Sequence, residues 1–124
     1  MKPDIQNRED LDILMRSFYD KLLVDDVVGY LFTEVIDLDL EEHFPRIVDF
    51  WEVQLLNGGR YQGNPMKIHL DLHFKEPLTK AHFDRWLEHF NNSVDERFDG
   101  PKAHLAKERA LSIATVMQIK IAQL

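Results

Sequence analysis

The segment PMKIHLDLHF, residues 65–74, places an imidazole, His69, among apolar side chains. The segment begins with a proline, and a second imidazole, His73, follows His69 by four residues. A histidine in such surroundings is either buried against a backbone carbonyl or is a ligand to a metal. The segment alone leaves both interpretations open, and the other motifs of the chain favour one of them.

The composition predicts a single domain, residues 1–124, that binds neither nucleic acid nor membrane. No run approaches the roughly 20 apolar residues of a membrane span, and the first residues are too polar for a secretory signal, so we expect a cytoplasmic protein. The 22 acidic side chains outnumber the 15 basic ones, whereas phosphate contacts need clustered positive charge. Because cysteine is absent, any metal must be held by nitrogen or oxygen.

Apolar residues recur at helical spacing along the chain, which predicts an all-α fold. The first helix passes through Leu11 and Leu23. Asp39 and Glu42 resemble a capping box that opens a second helix, and the sequence NGG at 57–59 ends it.

Three further helices are predicted in the second half of the chain. Asn64 as N-cap and Pro65 as first residue open a short helix of about two turns that carries His69. Thr79 begins a long helix, and Pro101 begins another one after the break DGPK at 99–102.

The predicted inner faces of these helices are rich in aromatic residues, and an ordinary aromatic core would explain the rings alone. Tyr19, His43 and Trp86 also bring polar groups, each costing roughly 1–3 kcal/mol if it is buried without a partner. Haem would resolve this conflict, because His69 would hold the iron and the three polar groups would face a ligand on the open side. A zinc site is less favoured, since the pair His69 and His73 lacks a third ligand of obvious spacing.

Five segments together resemble a known family, the truncated haemoglobins, and within it the third group. They are FYDKLL (18–23), LF (31–32), HFPRIVDFW (43–51), YQGNPMKIHLDL (61–72) and FDRWLEHF (83–90). Their order and spacing agree with the family over nearly the whole chain. The resemblance implies a truncated globin fold, a helical sandwich around haem b with a shortened first helix.

The resemblance also implies roles for individual residues. Gly63, Pro65 and His69 match the family pattern of Gly-x-Pro followed four residues later by the histidine that binds the iron. Tyr19, His43 and Trp86 fall on the positions that line the opposite, distal side. The other implied haem contacts are the aromatic wedge Phe32, the packing residues Ile47, Phe50, Phe83 and Phe90, and the cations Arg46, Arg60 and Lys67 near the propionates.

Pro45 and several additional histidines depart from a simple match. A proline two residues after His43 predicts a helix that begins near Phe44 or kinks, so we expect a loosely held His43 that swings as a gate. His73 is expected to be exposed near the end of its helix. Surface positions are expected for His82, His89 and His104.

The polar distal set implies that ferrous iron binds dioxygen, with Tyr19 and Trp86 donating hydrogen bonds to the ligand. Two such bonds would slow ligand release by roughly 10²-fold or more. Slow release favours redox chemistry on oxygen, peroxide or nitric oxide. The activity would be peroxidase-like or nitric oxide dioxygenase-like, with a reductase as electron donor. Oxygen transport or storage, a haem-based sensor and a haem-free helical interaction module stay open as alternatives. The sequence predicts no oligomeric state.

Overall fold

The computed structural model describes residues 2–36, 39–59, 61, 63 and 65–124, and the regular elements in these ranges are all helical. The α-helices are α1 (Arg8–Leu23), α2 (Leu40–Leu56), α3 (Pro65–Lys75), α4 (Lys80–Arg97) and α5 (Pro101–Ala122), with a π-helical turn at Leu31–Val35. Helix α1 packs on α2 and α4, and α5 packs on α4, α2 and α3. The all-α prediction is confirmed. In the described ranges, none of the helices combines the length and the apolar character needed to cross a membrane.

Helix α2 begins and ends where its sequence signals predict. The Asp39 carboxylate accepts hydrogen bonds from the backbone N–H groups of Glu41 and Glu42. At the other end, Asn57 adopts the left-handed conformation with φ of 54°, as is common for a residue that follows a helix. The Glu42 side chain pairs with Arg46 at 2.8 Å.

Pro45 lies inside α2, so of the two predicted outcomes, a start near Phe44 or a kink, the first is wrong. Proline has no N–H to donate to the carbonyl of Glu41, which normally disfavours an interior position. The cap at Asp39 stabilises the turn before Pro45, so the helix already includes His43.

Helix α3 carries the segment PMKIHLDLHF. Pro65 is its first residue, as predicted, and the proposed N-cap Asn64 lies outside the described residues. The helix has 11 residues, which is three turns rather than the expected two. The extra turn carries the chain through His73 to Lys75.

Helix α4 begins with a capping box in which histidine takes the place of the usual glutamate or glutamine. The Thr79 hydroxyl accepts from the His82 N–H, and His82 Nδ1 accepts from the Thr79 N–H at 3.0 Å. This bond needs a bare Nδ1, so the neutral ring carries its proton on Nε2. Burial lowers the pKa of His82, and the nearby Glu76 partly opposes the shift.

The start of α5 is capped by a residue from the other end of the chain. Gly100 precedes the helix and has no side chain to cap it, but the Asp4 carboxylate accepts from the N–H groups of Lys102 and Ala103 at 3.1 and 2.9 Å. A Cβ at Gly100, where φ is 145°, would lie 2.6 Å from Asp4 Cγ. Glycine is therefore required at this close approach.

Asp25 joins the turn after α1 to helix α4. Its carboxylate accepts from the backbone N–H groups of Val27 and Val28, and it lies 2.5 Å from His89 Nε2. Burial opposes ionisation, but the hydrogen bonds from His89 and the backbone outweigh it and hold the pKa of Asp25 below its usual range. His89 is therefore partly buried and not on the surface as predicted, because the chain before the π-helix supplies its partner.

We predict that the His82 cap makes stability depend on pH. Because folding lowers the pKa of His82 from 6.5, its contribution is complete above that pH and is lost as the pH falls through the lower folded value. In His82→Gln, an uncharged side chain can accept the Thr79 N–H, so we expect a smaller loss of stability on acidification. Urea unfolding of both proteins above and below pH 6.5 measures this difference.

His82→Ala serves as the matched variant that removes the acceptor altogether. At neutral pH we expect it to lower the free energy of unfolding by about 1 kcal/mol, the usual net contribution of one hydrogen bond. An identical pH dependence in the parent and in His82→Gln would contradict the prediction.

Candidate functional site

An apolar cavity lies among α1, the π-helical turn, α3, α4 and α5. Its empty volume, which includes the opening to solvent, is about 590 Å³. Most of its walls are aliphatic or aromatic. The polar side chains among the lining residues are Tyr19, His69, His82 and Trp86, and the other lining residues are Leu22, Val28, Leu31, Phe32, Leu72, Leu78, Phe83, Ala114 and Met117.

Helix α3 presents His69 and Leu72 to the cavity, as their spacing of three residues on one helix face allows. His73 has a different role, since its Nδ1 accepts a hydrogen bond from the Leu78 N–H at 2.9 Å. It is partly buried rather than exposed as predicted, because the chain folds back over the end of α3. Of these two imidazoles, His69 is the one that lines the cavity.

Tyr19 and His43 form a hydrogen-bonded pair at the edge of the cavity. The Tyr19 hydroxyl lies 2.6 Å from His43 Nε2, and the two rings meet edge to face with centroids 5.1 Å apart. Tyr19 lines the cavity, whereas His43 is not among the lining residues. His43, expected to be loosely held, is thus in direct contact with a buried tyrosine.

The surroundings of this pair favour the uncharged form of both residues. Burial raises the pKa of the Tyr19 phenol. Burial also lowers the pKa of His43, and the nearby His69 and Arg46 lower it further. The pair is therefore neutral near pH 7, with one proton to share between the hydroxyl oxygen and the imidazole nitrogen.

Helix α4 contributes Trp86 and Phe83, three residues apart, to the cavity wall. The Trp86 ring stacks on Phe90, with centroids 5.9 Å apart and planes at 17°. It also meets Phe18 edge to face at 5.7 Å. Trp86 is therefore held between the cavity and the hydrophobic core.

The other residues named from the sequence separate into two groups. Phe32 and Phe83 line the cavity together with His69, Tyr19 and Trp86. The second group does not line the cavity. Ile47 and Phe50 are partly buried against the core, and Phe90 is fully buried. Arg46 is exposed beside Glu42, and Lys67 is exposed with its Nζ 3.6 Å from the Asp71 carboxylate. Arg60 lies outside the described residues. Contact of this second group with haem stays a prediction.

His82 also lines the cavity, which the sequence pattern did not lead us to expect. Its predicted surface position is wrong, because the capping box turns the ring inward and brings Nε2 to 3.2 Å from the Tyr30 hydroxyl. Its position three residues after Thr79 is the signal that could have revealed the cap. Ala114 and Met117 of α5 also line the cavity, and no sequence motif marks them. His104 is exposed as predicted, paired with Glu108.

The donor set of the cavity fits haem better than an isolated metal ion. Across the described part of the chain, no group of three or more His, Cys, Asp or Glu side chains is arranged to hold a metal ion. A porphyrin brings its own nitrogen ligands and needs one axial side chain and apolar walls. His69, together with Leu72, Phe32 and Phe83, supplies these features.

Comparison with known proteins agrees with this fit. The profile of the bacterial-like globin family matches residues 4–122. The group 3 truncated haemoglobin ctb of Campylobacter jejuni is 34% identical over 121 residues, which cover 95% of this chain and 93% of that protein. The crystal structure of the group III truncated haemoglobin from the same organism superposes with a TM-score of 0.84 at 32% identity, covering 98% of this chain and 95% of the other.

The likeness extends over nearly the full length of both chains in sequence and in fold. The family resemblance that the five sequence segments predict is thereby confirmed. Members of this family bind haem and diatomic ligands such as oxygen. The chain belongs to the bacterial-like globins and, within them, to the third group of truncated haemoglobins.

Proposed function

We propose that the chain holds haem b through His69 and performs redox chemistry on dioxygen, peroxide or nitric oxide. The observation that carries this proposal is that His69 lines the same apolar cavity as two hydrogen-bond donors, Tyr19 and Trp86. An imidazole is the usual axial ligand of haem in globins, and the polarity of the opposite side decides between carriage and activation of a ligand.

His69 would hold haem through its iron, and the iron would supply the binding of a diatomic molecule. The apolar side chains of the cavity, Phe32, Leu72 and Phe83 among them, would cover the macrocycle and exclude water. Removing water strengthens each electrostatic interaction that the polar side chains make. Arg46, Arg60 and Lys67 are the cations that we propose for the two propionates.

The Tyr19–His43 contact controls which group can donate to a ligand. A hydroxyl has one proton, so Tyr19 can donate it either to His43 Nε2 or into the cavity. When His43 carries its proton on Nε2, His43 donates to the Tyr19 oxygen and leaves the hydroxyl proton for the ligand. A ligand with partial negative charge therefore favours that arrangement, and the raised pKa keeps the Tyr19 proton in place.

Trp86 supplies a second donor, because its indole N–H can only donate. Each hydrogen bond to a partly charged ligand contributes roughly 1–3 kcal/mol. Together the two bonds would slow ligand release by about 10²-fold or more. A ligand held in this way is better suited to reaction than to delivery, and we propose a cytoplasmic reductase as the electron donor.

We predict that His69→Ala removes the axial ligand and abolishes tight haem binding. The purified parent protein should show the intense absorption band of haem near the blue edge of the visible spectrum, and this band should shift with carbon monoxide. His73→Ala is the matched control, because His73 lies one helical turn away and is engaged by the Leu78 N–H. Absorption titration of each variant with haem measures the effect.

Two results would count against His69 as the ligand. One is a haem band of parental intensity and position in His69→Ala. The other is the loss of that band in His73→Ala while His69→Ala retains it.

We predict that Tyr19→Phe speeds the release of dioxygen by roughly tenfold or more, since about 1.4 kcal/mol of hydrogen bonding corresponds to one factor of ten. Stopped-flow displacement of oxygen by carbon monoxide measures the release rate. Tyr30→Phe is a suitable control, because the Tyr30 hydroxyl contacts Glu76 and His82 rather than Tyr19 or His43. An unchanged rate in Tyr19→Phe would remove the argument for redox chemistry and favour oxygen carriage.

A further inference from the structure

Stacked aromatic rings lead away from the cavity into the core. Trp86 lines the cavity and stacks on Phe90 with centroids 5.9 Å apart. Phe90 in turn stacks on Trp51 at 4.9 Å, with ring planes at 24°. Phe90 and Trp51 are almost fully shielded from solvent. Three rings thus connect the cavity wall to the middle of α2.

The same series continues from Trp51 towards the surface. Trp51 meets Phe50 edge to face at 5.4 Å, and Phe50 meets Tyr61 edge to face at 5.3 Å. Tyr61 is partly exposed. A Cβ at residue 63 would lie 2.6 Å from the Tyr61 hydroxyl oxygen, so a glycine at this position leaves room for the phenol.

We refer to the five rings Trp86, Phe90, Trp51, Phe50 and Tyr61 as the aromatic ladder. Each step is a contact within the 4.5–7 Å between centroids that is usual for aromatic pairs. The ladder contains both tryptophans and one of the three tyrosines of the chain. Tryptophan and tyrosine are the aromatic side chains that lose an electron most readily, and the chain has no cysteine thiol to compete with them.

We propose that the aromatic ladder carries electrons one at a time from Tyr61 to the cavity, so that a small phenol in solvent is oxidised at Tyr61 without entering the cavity. This proposal rests on the proposed redox function, because its oxidant is a peroxide that reacts in the cavity. The ladder adds a second, external substrate class and a surface site for it.

The electrons and protons of this reaction balance. The peroxide takes up two electrons and two protons, its O–O bond breaks, and two waters leave. Each electron taken from Trp86 is replaced from Trp51 and then from Tyr61, whose phenol releases its proton to solvent. A solvent phenol returns one electron and one proton to the Tyr61 radical and departs as a phenoxyl radical, so two phenols are oxidised for each peroxide.

The other two tyrosines are less suitable as the surface site. Tyr19 is reached from Trp86 through Phe18, but only 6% of Tyr19 is exposed and its hydroxyl is hydrogen-bonded to His43. An oxidised Tyr19 therefore cannot meet a phenol in solvent. Tyr30 has its ring contact with His82, outside the ladder.

A first experiment measures electron transfer along the ladder without peroxide. The sample is the haem-loaded full chain, with its iron blocked by carbon monoxide. Azide radicals made by pulse radiolysis oxidise its tryptophan. Absorption then follows the conversion of the tryptophan radical to a tyrosine radical. If the chain carries no haem, the same measurement is made on the chain as purified. We expect Tyr30→Phe to convert at the parental rate. Tyr61→Phe and Phe50→Leu should convert more slowly by roughly tenfold or more, equivalent to about 1.4 kcal/mol of added barrier.

Phe50→Leu keeps the residues at both ends of its step and removes the bridging ring, and circular dichroism verifies that each variant is folded. An unchanged conversion rate in Tyr61→Phe would overturn the proposal. An equal slowing in Tyr30→Phe would overturn it as well, because the effect would then not follow the ladder.

A second experiment joins the ladder to peroxide. The haem-loaded proteins receive hydrogen peroxide with a nitrone spin trap, and peptide mapping locates the trapped radical. We expect the adduct on Tyr61 in the parent. In Tyr61→Phe we expect a loss of phenol oxidation, while the first equivalent of peroxide, which draws its electrons from the protein itself, is still consumed. Adducts confined to Tyr19 or Tyr30, or undiminished phenol oxidation in Tyr61→Phe, would overturn the proposal. A parent protein that consumes no peroxide would refute the proposed redox function. The radiolysis result would still show whether electrons move along the aromatic ladder.

Discussion

The packing of Phe90 is the contact on which the rest of the structure depends. This fully buried ring of α4 stacks between Trp51 of α2 and Trp86 of its own helix, and it meets Phe18 of α1 edge to face. It therefore joins three helices and sets the position of Trp86 at the cavity wall. A smaller side chain at this position would leave a void among large rings, which close-packed cores tolerate poorly. The same stacking makes the aromatic ladder continuous.

The acidic side chains of this chain stay out of the described cavity lining. Three aspartates, Asp4, Asp25 and Asp39, accept backbone N–H groups at helix starts or in turns, where negative charge is favourable. By contrast, burial favours the neutral forms of Tyr19 and His82, which line the cavity, and of His43, which contacts Tyr19. The polar groups near a ligand thus act by hydrogen bonding rather than by net charge. This arrangement suits a haem iron, whose reactivity depends on hydrogen-bond donors and on low polarity around it.

Features that depend on a few neighbouring residues were predictable from the sequence. The caps at Asp39 and Thr79 and the stop at Asn57 follow from local hydrogen bonding and backbone preference. The assignment of His69 followed from the family pattern of Gly63, Pro65 and His69, and the structure does bring His69 to the cavity with Tyr19 and Trp86. A helix start near Phe44 is wrong because the cap at Asp39 stabilises the turn before Pro45.

The sequence by itself determined the helices, their order and the residue types that could serve a haem. Only the tertiary structure decided which of these residues meet. The cap of α5 by Asp4, the pairing of Asp25 with His89 and the contact of His82 with Tyr30 join segments that no local pattern brings together. The physical reason is that helix formation depends on contacts three or four residues apart, whereas a cavity is formed by side chains brought together from distant helices.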